Sequence, residues 1–137
     1  VLATTLVSCT SFEKDWDTAV KDYKNGAVKS PEGPWTGNWT TSTNGHTGDL
    51  RAIVTKSKSK PNHYDFWYHA TWADVFSGTY RVSYPVVKSG SGFRVDGEQK
   101  LGVFGKFSHK GQIRQNSFKA TYSNEKGDLG AFDLRRP

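Results

Sequence analysis

From Trp35 onward, apolar side chains recur at every second position. An extended strand with one buried face satisfies that period, and a helix does not. Trp35, Gly37 and Trp39 alternate with Thr36, Asn38 and Thr40. Leu50, Ala52 and Val54 share one face of a second strand, with Arg51 and Thr55 on the other. In a third, Tyr64, Phe66, Tyr68, Ala70 and Trp72 stand opposite His63, Asp65, Trp67, His69 and Thr71. Phe76, Gly78, Tyr80, Val82 and Tyr84 line a fourth, which ends at Pro85 or soon after because proline cannot donate to a ladder. Further strands are expected over Phe93 to Val103, near Lys106, over Gln112 to Tyr122, and over Leu129 to Arg135.

The segments between them are short and rich in turn formers. They are Asn44-Gly45, the lysine-serine stretch Lys56 to Asn62, Ser89-Gly90-Ser91-Gly92, His109-Lys110-Gly111 and Asn124-Glu125-Lys126-Gly127. About seven or eight strands at hairpin spacing predict consecutive antiparallel neighbours. Closing the sheet removes its exposed edges, so an up-and-down β-barrel is expected, with an open sandwich as the alternative. A chain of 137 residues accommodates one domain and one core. Its 14% aromatic content, 14 glycines and lack of methionine agree with an all-β class.

Ahead of the strands the period is 3.6. Phe12, Trp16, Val20 and Tyr23 lie on one face of a helix predicted over Ser11 to Asn25, with Ser11 as its N-cap and Gly26 as its C-cap. The stripe is expected to pack on the barrel or plug one end. Ala27 to Pro34 reads as a linker. Val1 to Ser8 is uncharged and mostly apolar or small, too short to span a bilayer, and is followed by the lone cysteine, Cys9. One cysteine permits no internal disulfide.

Leu6-Val7-Ser8-Cys9 resembles the bacterial lipobox, whose processing implies cleavage before Cys9 and acylation there, palmitate included. Thr10 is not the Asp that resemblance to inner-membrane-retained lipoproteins would require, so the implied address is the outer membrane, facing the periplasm. The expected organisation is then a signal-peptide remnant over 1–8, a lipidated Cys9 with helix and linker over 9–34, and a barrel over 35–137.

Gly37-Asn38-Trp39 on the first strand resembles the Gly-x-Trp of the calycins, the lipocalin and avidin group of barrels. That resemblance implies a basic residue near the end of the last strand packed across the indole. Arg136 has the parity of Phe132 and Leu134, so the expected closure is Trp39 against Arg136. A wider likeness runs through Trp35-x-Gly-x-Trp39, Asn44-Gly45-His46-x-Gly48-x-Leu50-Arg51, Leu101-Gly102 and Tyr122-Ser123 to Phe132. These stretches look like an uncharacterised family of bacterial exported and lipid-anchored proteins. The likeness implies a fold and an address, with no activity.

Chemistry-bearing residues are few. His46 and Asp49 on the Asn44-Gly45 turn, with Arg51 beyond, could place a general base beside an orienting carboxylate, though no nucleophile is spaced with them. A plain hairpin turn accounts for the same residues. His63 and His69 share a strand face but stand about 20 Å apart, too far for one metal. Tyr68, Trp72, Tyr80 and Tyr84 would either line a lumen cavity or fill the core. Lys56, Lys58 and Lys60 read as a solvated hairpin that keeps an edge from pairing. The net charge of +6 admits anionic partners, but no nucleic-acid motif, phosphate loop or cofactor motif accompanies it.

The expected function is therefore a non-enzymatic envelope lipoprotein. Its barrel would bind a small apolar or amphipathic ligand, or a partner protein, using His46, Arg51, Tyr68, Trp72, Tyr80 and Tyr84. The alternatives are a structural component or inhibitor without a lumen ligand, and a weak enzyme centred on His46, Asp49 and Arg51.

Overall fold

The computed structural model describes residues 2–72, 76–100, 106–125 and 127–137, with the side chains of 2–10, 72, 76 and 99 outside that description. One helix, α1 (Leu2–Lys24), precedes eight strands: β1 (Gly33–Thr41), β2 (Thr47–Lys56), β3 (His63–Trp72), β4 (Phe76–Ser89), β5 (Gly92–Lys100), β6 (Lys106–Ile113), β7 (Ser117–Asn124) and β8 (Leu129–Arg135). Each strand pairs antiparallel with the next, and β8 returns to β1, so the sheet is a closed barrel in strict sequence order. Among the described residues, no helix is long and apolar enough to cross a membrane.

Several boundaries differ from expectation. The strand expected over Gln112 to Tyr122 is divided between β6 and β7 by a turn after Ile113, and the linker expected to run to Pro34 stops short of it, since Gly33 and Pro34 open β1. The helix begins at Leu2 rather than Ser11, carrying the apolar run and the Cys9 backbone within it. Its end is the expected one. Gly26 adopts φ +76°, with the Gly26 amide donating to Tyr23 and the Ala27 amide to Asp22, a Schellman closure. Strand β4 runs past Pro85 to Ser89, because its pairing with β3 stops at Pro85 and its pairing with β5 is recorded from Val86. Finally, His109-Lys110-Gly111 is no turn but the middle of β6, where Gly111 stands opposite Ala120. A Cβ on Gly111 would lie 2.7 Å from that of Ala120, so this glycine permits a close approach inside the wall.

Side-chain parity follows the alternation. Trp35, Val54, Phe66, Ile113, Phe118 and Leu134 are buried and pack into the half of the lumen nearest α1's C-terminus. Arg136 closes that end. Its guanidinium lies 3.8 Å from the Trp35 ring centroid and 4.4 Å from that of Tyr23. It donates to the carbonyls of Pro34 and Glu32 and to Ser30 Oγ. Gly33, at φ +106°, leaves room for Nη1 of Arg136, which would stand 2.8 Å from an added Cβ. The expected partner, Trp39, is instead bonded through Nε1 to the Thr71 carbonyl. The β1–β8 register explains the correction. Gly37 opposes Leu134 and Trp39 opposes Phe132, which leaves Trp35 as the indole level with Arg136.

The helix packs on the outside of the wall. Phe12 is fully buried, meeting Trp67 edge-on at 5.1 Å and lying over His69 at 5.1 Å, with Ile53, Trp16 and Ala19 around it. Outward-facing Trp67 and His69 are buried for that reason. Burying a phenylalanine contributes roughly 2–3 kcal/mol toward holding the helix in place.

Candidate functional site

The expected turn-centred site does not assemble. Asn44 organises the β1–β2 turn by accepting from the His46 amide, and Gly45 takes φ +72°. His46 is exposed, and Asp49 is exposed and accepts from Asn38 Nδ2. Arg51 faces outward beneath the helix. Both of its terminal nitrogens reach the Glu13 carboxylate, at 2.6 and 2.9 Å, and its guanidinium lies over Phe12 and Trp16. The Arg51 hydrogen bond and charge pull the Glu13 carboxyl below its usual range, against an opposing effect of burial. Arg51 is thus a latch for α1 and is remote from the lumen. His63 and His69 also face outward, and among the described residues no group of three metal-ligating side chains is arranged to hold an ion.

The tyrosines do converge. Tyr68, Tyr80 and Tyr84 face the lumen in the half away from Arg136; the Trp72 side chain lies outside the described residues. Tyr68 stacks on Tyr80 at 5.0 Å and lies nearly parallel to the His109 ring, 7° apart at 6.0 Å. Glycines seat two of the rings: an added Cβ at Gly97 would overlap the Tyr84 ring, and one at Gly130 would overlap Tyr122. Burial holds the Tyr68, Tyr80 and Tyr84 hydroxyls well above the ordinary phenol range and raises Tyr122 to about 12. At neutral pH all four are protonated.

Among them stands His109, 2% exposed, a residue that the sequence pattern places in a turn. Its Nδ1 is 2.6 Å from the Tyr84 hydroxyl, while its Nε2 is buried with no hydrogen-bond partner. Burial pushes the imidazole down to about 4, so it is neutral at pH 7. The useful sequence signal is its parity with Ile113 along β6, once Gly111 is recognised as part of the wall.

Exposure grades along the barrel. Trp39, Ala70, Tyr80 and Tyr122 face inward yet are only half-buried, above a level where Tyr68, Tyr84, His109 and Phe132 are sealed. The chemistry on offer is a wall of flat aromatic surface, neutral hydroxyls and one unmatched imidazole nitrogen. A separate shallow groove of about 660 Å³ lies outside, across β5–β8 and β1, bordered by Arg94, Asp96, Lys110, Lys119 and Asp133.

No known protein-family model matches the chain, and no curated protein does. Solved structures share its fold. A de novo designed fluorescence-activating β-barrel superposes with a TM-score of 0.55 at 17% identity, over 77% of this chain and 93% of that one. The redesigned β-barrel mFAP1, bound to DFHBI, gives 0.55 at 18% identity over 77% and 94%. The redesigned mFAP0, also bound to DFHBI, gives 0.55 at 18% over 77% and 97%. At this identity the likeness is one of fold: an antiparallel, eight-stranded, closed β-barrel.

Proposed function

We propose that this chain is a non-enzymatic binding barrel that takes a small, largely apolar ligand into the mouth of its lumen. The observation that carries the reading is the inward-facing but only partly buried set Trp39, Ala70, Tyr80 and Tyr122, above a sealed aromatic floor. Inward parity with partial exposure marks a wall that solvent reaches, and concave aromatic surface with a few polar groups suits small uncharged molecules. Two redesigned barrels of the same fold, mFAP0 and mFAP1, are bound to DFHBI, which supports a barrel of this build as a binding device. The uncharged dye N-phenylnaphthylamine tests it. Its emission should rise on binding and quench Trp39, and Tyr80→Trp should fill the mouth and abolish the response. Dye emission that is unchanged, or equally enhanced in that variant, would remove the lumen reading.

The address we propose is a bacterial envelope membrane, through acylation of Cys9, supported by the Leu6-Val7-Ser8-Cys9 sequence. Labelled palmitate should be incorporated by the full-length precursor in a bacterial host and lost in Cys9→Ala. Incorporation that persists in that variant would end the proposal.

A further inference from the structure

Among the described residues, one polar atom in the lumen is left over. Nε2 of His109 is buried and has no partner, although the ring is otherwise fixed by Tyr84 and by Tyr68, Phe107 and Phe132 around it. An unmatched buried polar atom is costly, and such atoms in native structures call for a missing partner.

The hydrogen-bond direction decides what the partner must be. With the Tyr84 hydroxyl donating to Nδ1, the imidazole hydrogen sits on Nε2, and one donor is left unmatched among the described residues. The reverse arrangement would strand both the Tyr84 hydroxyl hydrogen and the Nε2 lone pair. The first is therefore the stable tautomer, and Nε2–H is a donor. Among the described residues the surrounding rings are aromatic and uncharged, with tyrosine hydroxyls protonated, and none of them offers a buried anion a countercharge.

Resting on the lumen-binding reading above, we infer that the ligand is a flat, uncharged molecule bearing a carbonyl-type acceptor that receives the Nε2–H of His109. Its plane would lie against Tyr80 at the mouth, and its acceptor, entering the sealed level to reach Nε2, would be the single feature that fixes its orientation. A molecule with a full negative charge at that point, or with only a donor there, is disfavoured by the same geometry.

The probes are the naphthalene ketone prodan and its deacylated parent, dimethylaminonaphthalene, which differ by the acceptor. Prodan should bind about tenfold more tightly, the worth of one buried hydrogen bond. In His109→Phe the two should bind alike. The ketone stretch of bound prodan, measured by infrared on the unaltered protein, should fall as for a hydrogen-bonded carbonyl, which needs no variant to fold. Equal affinities with an unshifted ketone stretch would overturn the acceptor inference and assign the nitrogen to a trapped water, while leaving the lumen reading standing. Failure of both molecules to bind would overturn both.

Discussion

The Arg136 guanidinium stacks on Trp35 at 3.8 Å while its nitrogens cap the carbonyls of Pro34 and Glu32. Burial pulls Arg136 down to about 10, which still leaves it charged at neutral pH. One side chain thus ties the last strand, the first strand and the approach to the barrel into a single closed end. Arg136→Ala should cost about 2–4 kcal/mol in denaturant unfolding, from lost charge-assisted hydrogen bonds and cation–π contact. Arg136→Lys should recover less than half, because an ammonium cannot fork across the same acceptors. A double-mutant cycle should find about 1 kcal/mol of coupling with Trp35→Phe and none with Trp39→Phe. Coupling to Trp39 instead would contradict the register.

That pairing also marks where sequence reading stops. Trp35 and Trp39 lie on the same inward face, so alternation alone cannot choose between them; the offset between β1 and β8 chooses, and no local signal encodes it. Within one strand the alternation is sufficient. The inward set Tyr64, Phe66, Tyr68 and Ala70 on β3 is the set that packs in the lumen. His109 is obscured because Lys110-Gly111 imitates a turn, whereas Gly111 serves the close approach of β7. Trp67 and His69 read as solvent-facing from parity and are buried because a distant helix lies on them.

The helix should detach before the barrel unfolds. Phe12 fills the contact with Trp67 and His69, so Phe12→Ala should weaken docking by about 3–5 kcal/mol. Hydrogen exchange in α1 should accelerate strongly while the amides of β6 and β7 remain protected. Glu13→Gln should cost no more than about 1 kcal/mol, shrinking with salt, since Glu13 is half exposed. Uniform loss of protection across helix and barrel in Phe12→Ala would show a single cooperative unit instead.

Gly97 is the seat of the Tyr84 ring, because a Cβ there would overlap it. Gly97→Ala should therefore destabilise by about 1–3 kcal/mol through overpacking. In a Tyr84→Ala background the same change should be nearly neutral, since the ring it strikes is gone. Additive costs would place the strain in the backbone rather than in the Tyr84 contact.

Stability should depend on pH through His109. Its folded-state value, near 4, lies below the ordinary 6.5, so the unfolded chain binds the proton more readily. The sign follows: the contribution is present above pH 6.5, falls as pH drops from 6.5 toward 4, and is lost below that. The full span is on the order of 3 kcal/mol. Protonation also puts a hydrogen on Nδ1, so the Tyr84 hydroxyl would have to turn and accept where it had donated. His69 is lowered too, by burial and then by Arg51, and adds in the same direction. His109→Gln keeps a polar group for Tyr84 without titrating, so the difference between its unfolding free energy and that of the parent should shift across that window. Parallel curves for the two proteins from pH 7 to pH 4 would mean that His109 is not held neutral by burial.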